Sequence, residues 1–108
     1  MDVKAMESEG VTVYQVSGEI NINTSPDLKK MFEKKPTKKI VIDLEKVTYI
    51  DSSGLATLVE ILKKTKQLGG ALGLSAMPDK IKSLFEITKL DKLFSIFQNQ
   101  QDAVVRIK

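Results

Sequence analysis

The sequence predicts an α/β domain with a mixed, mostly parallel β-sheet and helices packed on it. Three features carry that prediction. Short β-branched runs recur between segments of helical periodicity, in the order ββαβαβαβα. The first two runs are close enough to form a hairpin. The later ones are separated by helix-length segments, which imposes parallel pairing through right-handed crossovers. With 108 residues the chain reads as one domain spanning 1–108, and a fold of this size buries roughly 60 to 70 % of the surface its unfolded chain exposes.

The opening hairpin comes from a candidate strand over Val3 to Glu7, the turn pair Glu9-Gly10, and a second strand carrying Val11, Val13, Tyr14 and Val16. After Gly18, the segment Asn23-Thr24-Ser25-Pro26-Asp27 has the form of a helix start. Ser25 is placed to accept free N–H groups, Pro26 suits the first helical position, and Asp27 opposes the positive end of the dipole. Leu28, Met31 and Phe32 then mark the buried face, and Pro36 closes the helix.

Ile40, Val41, Ile42 and Leu44, interrupted only by Asp43, read as a central strand covered on both faces, with Val47-Thr48-Tyr49-Ile50 linking it to the next element. From Gly54 onward Leu55, Leu58, Val59 and Leu62 fall on one helical face, opposite Glu60, Lys63, Lys64 and Lys66, and Gly69 supplies the stop. Ala71, Leu72 and Leu74 make another strand. Pro78-Asp79 then begins a helix with Ile81, Leu84, Phe85 and Thr88 on its inner face. Leu93, Phe94, Ile96 and Phe97 form the last strand, and Ala103, Val104 and Ile107 favour a closing helix over a further strand.

Composition narrows the function classes. The 17 basic and 14 acidic residues leave a net charge of +3, and Arg106 is the only arginine. That balance is too mild to imply direct nucleic-acid binding. No apolar run approaches the ~20 residues that span a bilayer, and Met1-Asp2-Val3-Lys4 lacks the apolar core of a signal peptide, so a cytoplasmic location with no membrane partner is expected. With neither cysteine nor histidine, there is no disulfide framework, no thiolate nucleophile and no imidazole to serve as base or metal ligand. A metalloenzyme or Ser-His hydrolase is therefore disfavoured.

The chemistry-bearing motif is Asp51-Ser52-Ser53-Gly54, where a buried strand hands over to an amphipathic helix. Two hydroxyls lie at a helix N-terminus, whose free N–H groups and positive dipole end favour an anion. Locally, the simplest role for Asp51, Ser52 or Ser53 is to cap the helix.

The wider pattern adds to this. The stretch Ile40-Val41-Ile42-Asp43-Leu44 through Val47-Thr48-Tyr49-Ile50-Asp51-Ser52-Ser53-Gly54-Leu55 resembles the signature of STAS-domain anti-sigma factor antagonists, bacterial partner-switching regulators. Gly18-Glu19-Ile20, Gly69-Gly70 and Ile81-Lys82-Ser83-Leu84-Phe85 extend the resemblance over nearly the whole chain. It implies a single STAS-type domain and a non-enzymatic function, with no catalytic residue, cofactor or metal of its own. The unphosphorylated form would bind an anti-sigma factor that is itself a serine kinase, releasing the sigma factor. Phosphorylation of the serine after the aspartate, here Ser52 with Ser53 as second choice, would inactivate it, and a phosphoserine phosphatase would restore it. The implied partner face comprises Asn21, Asn23, Thr24, Asp51, Ser52, Ser53 and Gly54. Two departures stand out: Asn21 where antagonists often carry aspartate, and Ala56 where many carry glycine. The same fold also serves as an interaction module of transporters, lipid-transport complexes and stress-signalling assemblies, without a phosphorylation cycle, and this is the alternative function.

Other motifs are weaker. Gly69-Gly70-Ala71-Leu72-Gly73 lacks the Gly-Lys-Ser/Thr ending of a P-loop and follows a helix, which makes it a helix stop. Lys29, Lys30, Lys34, Lys35, Lys38 and Lys39 form a basic cluster without interleaved aromatics, as on a solvated face. Asp43, Glu45 and Asp51 match no known cation-binding loop.

Overall fold

The computed structural model describes residues 1–108. The chain folds in the order β1 (Asp2–Ser8), β2 (Val11–Ile20), α1 (Ser25–Lys34), β3 (Lys39–Ile50), α2 (Ser52–Gln67), β4 (Ala71–Ser75), α3 (Asp79–Ile87), β5 (Ser95–Phe97) and α4 (Gln100–Ile107). A single 3₁₀ turn, Leu90–Lys92, precedes β5. One five-stranded sheet runs β1-β2-β3-β4-β5, with β1 antiparallel to β2 and every later pair parallel. The mixed, mostly parallel α/β order expected from the sequence is the order observed.

The hairpin closes through Glu9 and Gly10, at φ of 53° and 82°. Positive φ at both central residues is what a two-residue turn needs to match the twist of its strands. Side-chain alternation along the strands then divides the core. Ile40, Ile42 and Leu44 face Leu28 and Phe32 of α1, Leu58 and Ile61 of α2, and Ile81 and Phe85 of α3. Val11, Val13 and Val41 face the other way, against Ala103 and Val104 of α4. Three helices thus cover one face and the closing helix covers part of the other.

Four local expectations differ from the structure. Val47-Thr48-Tyr49-Ile50 is not a linker: β3 continues through it, because irregularities at Gln15/Ser17 and Gly18/Glu19 keep β2 in step until Ile20 pairs with Ile50. Ser25 does not cap α1, since Thr24 holds the cap position and Ser25-Pro26 already lie inside the helix. On α3 only Ile81 and Phe85 are buried; Thr88 ends the helix exposed, its hydroxyl donating to the Leu84 carbonyl at 2.8 Å. The last strand starts at Ser95, so Leu93 lies outside it, as does Phe94, which packs edge-on against Phe85 with ring centroids 5.7 Å apart.

The stop of α2 follows expectation. Gly69 adopts φ 76°, its N–H reaches the Lys66 carbonyl at 2.9 Å, and the Gly70 N–H reaches that of Thr65 at 3.0 Å. This reciprocal pair satisfies the last carbonyls of the helix.

Candidate functional site

β2 and β3 end side by side at Ile20 and Ile50, and the Asp51 N–H donates to the Ile20 carbonyl at 3.1 Å. This last ladder bond keeps Asp51 extended, at φ −98° and ψ −176°, so the first helical residue is Ser52. Asp51 therefore caps α2: its Oδ1 accepts the Gly54 N–H at 2.9 Å. Ser53, one of the three candidate caps, is already in the first turn, where a side chain lies too far along the axis to serve as the cap.

The second Asp51 oxygen is also engaged. Oδ2 accepts the Ile22 N–H at 3.1 Å and ties the β2–α1 loop to the start of α2. That loop is ordered from within. Asn21 Oδ1 accepts the N–H groups of Asn23 and Thr24 at 2.9 and 3.1 Å, while the Thr24 hydroxyl accepts the Asn21 N–H and donates to the Glu19 carbonyl, each at 2.8 Å. Asn21 thus supplies the acceptor that an aspartate would supply, and differs from it chiefly in charge.

Of the residues singled out in the sequence, Ser52 is exposed, Ser53 half-buried, Asn23 exposed, and Asn21, Thr24 and Asp51 half-buried around the same helix end. Gly54 is the exception. It is buried, and a Cβ there would meet the Ile20 carbonyl oxygen at 2.5 Å and the Cγ2 atoms of Ile20 and Ile50 at 2.9 Å. Gly54 permits the close approach that sets Ser52 in place, and offers a partner no surface of its own.

Two exposed apolar neighbours stand outside the expected partner face. Ile22 is 69 % exposed and Tyr49 52 % exposed. An isoleucine between two asparagines was the available signal for the first, because a polar loop has no core in which to bury it. Tyr49, expected in a linker, lies on β3 and lines the same groove as Ser52. Tyr49, Ser52, Leu55, Lys80, Ile81 and Leu84 line an open groove of about 650 Å³ between β3, α2 and α3.

The arrangement presents a hydroxyl at the positive end of a long helix. Both oxygens of the neighbouring Asp51 already accept backbone N–H groups, and the chain has no histidine, so neither that carboxylate nor an imidazole is set up as a base for Ser52. Asp43 and Asp51 are not brought together. Asp43 points to the opposite side of the sheet, where Oδ2 accepts from Ser75 Oγ and Gln100 Nε2, both at 3.2 Å, and Oδ1 accepts the Glu45 N–H at 3.0 Å. Nowhere do three or more carboxylates gather in a cluster that could hold a metal ion.

One lysine of the basic cluster joins α1 to α2, Lys29 meeting Glu60 at 3.1 Å, and Lys64 of α2 returns the contact to Glu33 at 2.6 Å. The hydrogen bond from Lys64, aided by the charges of Lys64 and Lys29, holds the Glu33 carboxyl below its ordinary range. The hydrogen bond to Glu60 raises the Lys29 ammonium above its own. No helix is long and apolar enough to cross a membrane.

The STAS domain family model matches residues 2–103. An anti-sigma-B factor antagonist of Listeria monocytogenes is 32 % identical over 99 residues, covering 89 % of this chain and 86 % of that protein. The anti-sigma-B factor antagonist of Staphylococcus aureus is 35 % identical over 85 residues, covering 76 % and 79 %. The crystal structure of an anti-sigma factor antagonist from Mycobacterium paratuberculosis superposes with a TM-score of 0.87 at 28 % identity, covering 98 % of this chain and 92 % of the other.

Proposed function

The chain belongs to the STAS-domain family, and from that premise we propose that it is an anti-sigma factor antagonist switched by phosphorylation of Ser52. The unmodified protein binds an anti-sigma factor with serine-kinase activity and displaces the sigma factor held there. The kinase supplies ATP and transfers its γ-phosphoryl group to the Ser52 oxygen; the hydroxyl proton leaves to the kinase's base. A separate phosphatase hydrolyses the phosphoserine and restores the binding form. The antagonist acts in the cytoplasm, and its partner face is formed by Asn21, Asn23 and Thr24 with Asp51, Ser52 and Ser53.

One observation carries this reading above the others: Ser52 is exposed at the first helical position of α2, while Asp51 takes over the capping work that would otherwise occupy a serine. Its hydroxyl is left accessible on a rigid frame, as a kinase substrate requires. The relatives that are anti-sigma-B factor antagonists support the regulatory role. Incubation with the cognate anti-sigma kinase and ATP, followed by mass spectrometry, tests it. A single phosphate on Ser52 is the expected product; a chain that binds the kinase but stays unmodified, or carries its phosphate on Ser53, overturns the assignment.

A further inference from the structure

The groove beside Ser52 has a specific chemical character. Its floor is apolar, from Leu55, Ile81 and Leu84, with Tyr49 at its edge. Two charged side chains line it, Asp51 and Lys80. Asp51 is spent on the N–H groups of Gly54 and Ile22, whereas Lys80 is exposed and joins none of the three ion pairs of the fold. The groove therefore offers an apolar trough with one free cation at its rim. Ile87, two turns beyond Lys80 on the same side of α3, is 79 % exposed and lengthens the apolar strip.

We infer that this groove is a docking socket for a segment of the anti-sigma partner that carries apolar side chains with a carboxylate beside them, held by Tyr49, Leu84 and Ile87 and oriented by Lys80. The inference rests on the function proposed above and adds where the binding energy is generated. Two arguments select this occupant. The free ammonium of Lys80 complements a carboxylate, and apolar area around an aromatic anchor is the usual source of affinity at protein interfaces. In addition, the groove includes Ser52 itself, so a segment lying in it is continuous with whatever reaches the hydroxyl. Contacts of this kind are equal in the ground and transition states of phosphoryl transfer, so they act on KM and leave kcat alone.

The test uses the full chain with Lys80→Glu and, separately, Leu84→Asp. Lys80 is exposed, whereas Leu84 is half-buried and packs against the core at the groove floor, so unchanged melting and amide spectra verify each fold before binding is read, and Lys80→Glu alone decides the test if Leu84→Asp melts. Lys66→Glu, on the opposite end of α2, serves as control. Phosphorylation by the cognate kinase is expected to show KM raised roughly tenfold or more for each groove variant, kcat within about twofold of the parent, and no change for Lys66→Glu. Capture of the kinase by Ser52→Ala should weaken in parallel when either groove substitution is added. Unchanged KM and capture in folded groove variants would overturn the docking site while leaving Ser52 as the acceptor. Loss of capture in the groove variants of a chain whose Ser52 is never phosphorylated would instead retain the socket and remove the phosphorylation cycle. A fall in kcat alone would place Lys80 and Leu84 at the transfer step and overturn the docking role.

Discussion

Asp51 and Ile22 are 29 residues apart in the chain, yet the Asp51 carboxylate accepts the Ile22 N–H at 3.1 Å while its other oxygen caps α2 through Gly54. One side chain thus sets both the helix that carries Ser52 and the loop that flanks it.

Asp51→Ala should destabilise the fold by about 1–2 kcal/mol, as loss of an N-cap does, and should also release the loop from Asn21 to Thr24. Asp51→Asn keeps one acceptor and should recover part of that stability. Urea unfolding reads the first effect. Amide exchange at Ile22, faster in Asp51→Ala than in the parent, reads the second; equal protection there would show that the loop orders itself without Asp51.

Phosphorylation of Ser52 should block partner binding without unfolding the domain. Free in water, the phosphate adds about −1.5 to −2 charge at a helix N-terminus, where an anion gains roughly 0.3 to 1 kcal/mol, and the Asp51 carboxylate one residue away offsets part of that gain. In the complex the same charge would be desolvated without a partner, at several kcal/mol, or at least about a hundredfold in affinity. Ser52→Ala should therefore stay folded, bind and resist inactivation, while Ser52→Asp and Ser52→Glu stay folded and bind poorly. Calorimetric melting beside a binding titration checks both halves, and a phosphorylated form that binds like the parent would refute the mechanism.

Gly54→Ala should destabilise by about 1–3 kcal/mol although alanine is the better helix former by about 1 kcal/mol. The added methyl meets the Ile20 carbonyl oxygen at 2.5 Å, and backbone locked in a sheet cannot yield as a side-chain tip can. Ala56 occupies an exposed position of the same helix, so Ala56→Gly should lower stability by the propensity difference alone. Thermal melts of the two variants distinguish steric from propensity effects; a stabilised Gly54→Ala would mean that α2 can shift on the sheet.

The Glu33 carboxyl should titrate below the ordinary glutamate range, because its hydrogen bond with Lys64 exists only in the folded state. A carboxyl depressed by folding adds stability above its unfolded pKa, and loses it as pH falls through the folded value. The contribution is therefore present at neutral pH and fades in acid, and the pair's exposure makes it sensitive to salt. Side-chain NMR titration should move Glu33 back toward its ordinary range in Lys64→Met, with the Lys29 charge still present; an unchanged titration there would assign the shift elsewhere.

The order of elements, the mixed sheet and the position of the Asp51-Ser52 pair were legible along the chain, because these depend on local periodicity, turn residues and a contiguous motif. The Leu55, Leu58, Leu62 face of α2 and the Glu9-Gly10 hairpin needed no knowledge of distant partners. Which residue takes the cap position of α1 and of α2 emerged with the packing. That depends on how far strand pairing holds the backbone extended, and the pairing of Ile20 with Ile50 makes Asp51 the cap of α2 among the three candidates Asp51, Ser52 and Ser53. The same pairing drew Val47–Ile50 into β3 and put Tyr49 beside Ser52. The groove combines side chains of β3, α2 and α3 that no spacing in the chain relates, and the crossover of α3 onto the sheet is what brings Lys80 and Leu84 to the edge of the serine.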